Sequence, residues 1–227
     1  APVGPLPFWA FMVLVVAFDV AHVWATLYVS YLDRDVFARR RLLLLLPIPI
    51  ALIASWRLHA FSPVLFWTIV AYIAIHHFAA QQWGFIALYR LRAGERAPLD
   101  RHLDRWALWT GALGPILWWH ASPERQLDWF GNGETFIFPL DPALKTDIAV
   151  VMAVVAGLWT ARQVWHLRHG SLNTGKVLWM LATWLSWGIG IGVPEHPLVS
   201  LAAVNLLHGL PFLGLVWFRC NQRWQDR

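Results

Sequence analysis

Charged side chains are what this sequence has least of. Only 14% of its 227 residues are Asp, Glu, Lys or Arg, against about 25% in an ordinary soluble domain, and a surface so poor in charge would not stay dissolved. Cysteine is nearly missing too. Cys220 stands alone beside the C-terminal basic residues, which excludes an intramolecular disulfide and a cysteine-based metal cluster. Lysine occurs only at Lys145 and Lys176, both at the ends of apolar segments, so the Schiff-base lysine that a retinal protein needs on its last span is not there. No linker, repeat or low-complexity tract interrupts the chain, and residues 1–227 read as a single domain.

What is present is apolar: 58% hydrophobic residues, with 17 tryptophans. A helix needs about 20 apolar residues to cross a bilayer. Segments 8–31, 42–60, 63–89, 105–121, 146–166, 174–193 and 197–218 meet or approach that length. The expected fold is therefore all-α, a polytopic bundle of about seven transmembrane helices. The opening stretch lacks a basic region and a cleavage motif, so it is read as a retained first helix. Placing the N-terminus outside and the C-terminus in the cytoplasm puts 15 of the 18 basic residues inside, as the positive-inside rule requires. The formal charge of +5 is thus a topology signal, and no nucleic-acid partner is expected. The expected location is a bacterial cytoplasmic membrane. Residues 122–145 form the longest outer connection, read as an interfacial loop, and the tryptophans at span ends are read as interface anchors.

Against this background the ionisable residues inside the spans stand out, because such groups are expensive in hydrocarbon and usually functional. His22 lies 12 residues before Arg34, His77 lies 13 before Arg90, and His208 lies 11 before Arg219. At a rise of about 1.5 Å per residue, those offsets place the three at about 18, 20 and 17 Å from one border. Asp19 precedes His22 by three residues, Asn205 precedes His208 by three, and Gln81 follows His77 by four, spacings that share a helix face. His76 is adjacent to His77. His196 falls in the turn joining spans six and seven and reaches the centre only if the chain re-enters there. His59, His102, His166 and His169 are read as solvated, and Arg162 and Gln163 as snorkelling.

Imidazole is the common protein ligand for iron, zinc and copper. The expected metal ligands are His22, His76, His77, His208 and His196, with Asp19, Gln81 and Asn205 as further ligands or orienting groups in the catalytic centre. The histidine on the first span, "IHHF" at 75–78 and "NLLHGLPF" at 205–212 resemble the Brp/Blh family of membrane-bound β-carotene 15,15'-dioxygenases. In that family, histidines at comparable places hold a non-haem iron. Here "DVAH" reverses the family's order of histidine and acidic residue, and His208 stands where the family has a late pair. The resemblance implies iron, one ion or two, and O₂ chemistry on a lipophilic substrate such as a lipid or carotenoid, a hydrophobic small molecule reached from the membrane lipid. Two alternatives remain open at this point. One is a zinc hydrolase of the ceramidase type, and the other is an electron carrier with haem b.

Overall fold

Proline, glycine and short polar side chains divide the chain into helices. Asp33 accepts from the Val36 amide, Ser62 from the Leu65 amide and Asn173 from the Lys176 amide, each at 3.2 Å, so each caps the helix that follows it. Pro63 and Pro98 occupy first-turn positions, where no amide hydrogen is needed. Gly94 and Gly170 take the left-handed conformation, φ 68° and 67°, which reverses the chain after the helix before each. The structure is a computed structural model describing residues 7–122, 139–192 and 197–225.

Among the described residues there are seven helices and no strands. They are α1 (Phe8–Val29), α2 (Arg34–Phe61), α3 (Pro63–Arg92), α4 (Pro98–His120), α5 (Leu144–Arg168), α6 (Thr174–Gly192) and α7 (Pro197–Gln225). Five of these helices, α1, α2, α3, α5 and α7, are long and apolar enough to cross a membrane. Helix α4 opens with Asp100, Arg101, Asp104 and Arg105, and α6 is 19 residues long. Helix α2 bends at Arg40 (φ −126°, ψ 20°) and restarts at Pro47.

Helix α4 packs on α5 and α6, α6 packs on α7, and α7 packs on α1, while α3 lies against α4 and α6. Helix α2 packs only against α3 among the later helices, with no residue of its apolar window buried. One core cluster joins Phe78, Ala79, Ala112, Trp119, Trp187 and Val204, and the other joins Ile86, Leu108, Trp159 and Met180. Of the glycines in the spans, Gly111, Gly114 and Gly190 mark close helix approaches. A Cβ there would come 2.2 to 2.8 Å from Trp184, Met152 and Ala203 respectively.

The ends of α3, α4, α5 and α6 are locked by charge. Asp104, fully buried, accepts from Arg90 at 2.5 Å, from Lys176 at 3.1 Å and from the Trp159 indole at 2.8 Å. Glu95 accepts from the same Lys176 at 2.7 Å and from Arg90 at 3.2 Å. Beside them Asp100 accepts from Arg162 at 2.6 Å and lies 3.3 Å from His166 Nε2. Sequence reading had put Lys176 among charges that merely mark topology, Arg162 as snorkelling and His166 as solvated; each instead has a specific carboxylate partner. The tryptophan expectation also changes, because Trp159 and Trp187 are 2% and 1% exposed and donate to Asp104 and to Gln82 Oε1.

Removing one partner of a buried ion pair strands the other charge and typically costs about 3–5 kcal/mol. Lys176→Met should therefore lower the unfolding free energy by about 3 kcal/mol, measured by denaturation in mixed micelles. An effect near zero would mean that the network is not closed as described.

At the α1–α7 end, Arg223 donates to Asp33. That bond holds the Asp33 carboxyl below its ordinary 3.8. A depressed carboxylate contributes stability above its unfolded value and loses it as pH falls through the folded one. Asp33→Asn should thus melt below the parent at pH 7, and the gap should close only once the pH drops below 3.8.

Candidate metal centre

Helix α1 is not regular. Its Met12–Ala17 segment is a π-helix, a local widening that is frequent at functional sites. Two carbonyls of this segment, those of Leu14 and Val15, accept from Asn205 Nδ2 at 3.2 and 3.1 Å. The bonds fix the amide of a 1% exposed side chain on α7 and leave its Oδ1 without a partner. A turn further along α7, Gly209 permits close contact with α1, since a Cβ there would sit 3.3 Å from the Phe18 carbonyl oxygen. The two helices are drawn together at the level of their histidines.

His22 and His208 meet there, with Nε2 atoms 2.9 Å apart and ring centroids 4.4 Å apart at 84°. Both are buried, at 6% and 0% exposure. His77 on α3 brings its ring centroid to 5.0 Å from that of His208, and one ring nitrogen from each of His22, His77 and His208 lies within 4.8 Å of the others. Phe78 stacks on His208 at 4.0 Å, and Phe212 stands edge-on to His22 at 6.1 Å. His77 itself is exposed, so the cluster has one open side.

The donor set fits a cation better than it fits itself. Two neutral imidazoles facing each other through Nε2 form one hydrogen bond, and His22 Nδ1 and His208 Nδ1 remain buried without hydrogen bonds, a costly arrangement. With a cation at the Nε2 side, both Nδ1 atoms become donors, and Asp19 Oδ1 stands 3.5 Å from His22 Nδ1, where a carboxylate commonly orients a ligating histidine. At a metal–nitrogen bond of about 2 Å, ligands on opposite sides of one ion would stand about 4 Å apart. The 2.9 Å observed matches neighbouring positions on one ion. It leaves no room for a porphyrin plane between the two rings.

The remaining sequence candidates scatter. His76 turns away, its ring 5.5 Å from Trp109 of α4. Gln81 has a buried Oε1 without a hydrogen-bond partner, while its neighbour Gln82 bolts α3 to α6 by accepting from Trp187 and, through its carbonyl, from Trp179. Asn205 ties α7 to α1 rather than touching His208. His196 and most of the 122–145 loop lie outside the described residues. Tyr72 donates to His120 Nε2 at 2.7 Å, because Nδ1 of that ring is engaged with the Ile116 carbonyl.

Next to the histidines is a cavity of about 280 Å³ with almost wholly apolar walls. It lies on the side away from the arginine-rich helix ends, among α1, α3, α4, α6 and α7, and Asp19, Phe78 and Asn205 form the wall it shares with the cluster. Gly209 and the cavity were both missed from sequence alone. The signal available for Gly209 was its position immediately after His208.

The chain matches no known protein-family model, no curated protein and no solved structure. Fold and site define it on their own terms: an all-helical chain with helices long enough to cross a membrane and a histidine cluster beside an apolar cavity.

Gly209→Ala should cost about 1 kcal/mol or more, because the backbone it meets cannot step aside as a side chain can. Gly214→Ala, with nothing within 4 Å of the added carbon, should be neutral or stabilising. Equal effects in thermal unfolding would contradict the close α1–α7 approach.

Proposed function

We propose that the protein is a membrane-embedded, histidine-ligated metalloenzyme, a non-haem iron oxygenase that acts on a lipophilic substrate. The observation that carries this reading is the convergence of ring nitrogens from His22, His77 and His208 within 4.8 Å, with the two buried members short of hydrogen bonds. Imidazole suits iron as a ligand, and a cluster with an open side leaves a position for O₂. The loose likeness of the three histidine stretches to the Brp/Blh dioxygenases points the same way. In this reading the chain crosses the membrane seven times with its N-terminus outside, and the Arg90–Asp104–Lys176 network lies at the cytoplasmic border.

Each neighbouring residue then has a task. Asp19 accepts from His22 Nδ1–H and fixes which ring nitrogen faces the ion. Phe78, stacked on His208 at 4.0 Å, holds that ring against rotation. His77, exposed at the edge, completes the ligand set on the side from which a second reactant enters. The metal would supply O₂ activation when bound, and the apolar cavity would exclude water and hold the substrate chain against the histidines. Among the described residues no serine or cysteine is hydrogen-bonded to the three rings, which disfavours covalent acyl chemistry. A zinc hydrolase is the second reading, because three histidines with an open position also suit zinc.

Elemental analysis and an absorption spectrum of protein purified in mild detergent test this. Near-stoichiometric iron without a Soret band is expected, zinc would move the assignment to the hydrolase, and no metal would end it. His22→Ala, His77→Ala and His208→Ala should each lose tight binding, whereas His102→Ala and His76→Ala should retain it. Undiminished metal in all of the first three would remove the site.

A further inference from the structure

A second cavity, of about 530 Å³, opens between the start of α2 and the end of α7. Four arginines line it, Arg39 and Arg40 from α2 and Arg219 and Arg223 from α7. The pair on α7 is spaced by four residues and shares a helix face. Consecutive residues of a regular helix point about 100° apart; the bend at Arg40 lets both arginines of α2 border one space. Apolar side chains complete the wall, Val29 from α1 and Phe212, Leu215 and Val216 from α7.

The charge here is not balanced within the chain. Asp35 lies on the wall, and Asp33, 6% exposed, is taken up by Arg223 with Arg219 at 3.9 Å. Two carboxylates against four arginines leave a surplus of two positive charges. Arg39 and Arg40 are exposed and form no hydrogen bond or ion pair with any described residue. Arginines that merely face water need no common wall, whereas these converge from two helices on a space with an apolar lining. The guanidinium fork suits phosphate, and basic pockets between membrane helices take anionic lipid head groups. A soluble anion would answer the charge and leave Phe212, Leu215 and Val216 uncovered. An anion that carries an acyl chain answers both.

We infer that this groove binds an anionic phospholipid, with its phosphate between the arginines of α2 and those of α7 and an acyl chain along Phe212, Leu215 and Val216. Helix α2 buries no residue of its apolar window, and the bond from Arg223 reaches it only at its N-cap, Asp33. A lipid held by arginines of both helices adds a second tie. Phe212 also stands edge-on to His22 at 6.1 Å, so the lipid chain runs toward the histidines from the arginine-rich end. Occupancy of the groove does not depend on a metal there.

Native mass spectrometry in a non-ionic detergent counts bound lipid as the full chain is titrated with dioleoylphosphatidylglycerol or dioleoylphosphatidylcholine. One copy of the phosphatidylglycerol should bind with about tenfold higher affinity than the phosphatidylcholine. Arg39→Gln and Arg40→Gln strand no partner, and each should weaken that copy about fivefold, the worth of one arginine at an anionic lipid surface. Arg92→Gln and Arg101→Gln, exposed at the same border but outside the groove, should leave it unchanged. Equal affinity for the two lipids overturns the inference. Equal weakening by both pairs of variants does so too, since it marks a diffuse attraction to the whole basic border. Glycerol phosphate, which has the head group without the chain, should not displace the lipid at comparable concentration; displacement would assign the groove to a soluble phosphate and remove the lipid.

Discussion

A carboxylate taken out of water has to be answered by its own chain, and Asp104 is answered from three other helices at once. Arg90 comes from α3, Trp159 from α5 and Lys176 from α6. Such a group tolerates little displacement, since any partner that leaves strands a charge. The network thereby sets the rotation of α3 about its axis. Gln82, one turn beyond His77, is clamped in turn by Trp187 and Trp179 of α6. With α3 held at two levels, the direction in which His77 points is decided by contacts far from the cluster.

His22 and His208 are positioned by different means. They depend on α1 and α7 lying close, through Gly209, through the Asn205 bonds to the π-helical carbonyls, and through Arg223 on Asp33 at the far end. The cluster therefore forms where two sets of constraints meet, one electrostatic and one of close backbone packing. Its third histidine, His77, is the exposed one and comes from the other set.

Much of this was legible in the sequence. Apolar runs of span length fixed the helical class, and counting residues from basic borders placed three histidines at one depth, where they are indeed brought together. Counting could not choose between His76 and His77, because neighbours on a helix point about 100° apart and only packing says which faces inward. Nor could it distinguish an arginine or lysine reaching for water from one reaching for a carboxylate. Arg162 and Lys176 sit at span ends, as snorkelling residues do, and their partners Asp100 and Asp104 lie more than 60 residues away. Tryptophans misled in the same manner: an indole that anchors at an interface and one that donates inside a core have the same sequence surroundings.

The widened turn at Met12–Ala17 divides α1 into two parts whose angular phases are set separately. After it, Asp19 and His22 keep the phase that the histidine partner demands; within it, the wider turn shows the Leu14 and Val15 carbonyls to Asn205. A helix without that widening has a single phase along its whole length, and satisfying one requirement would spoil the other. The helix contact made by Asn205 and the contact made by His22 are thus free to change independently of one another.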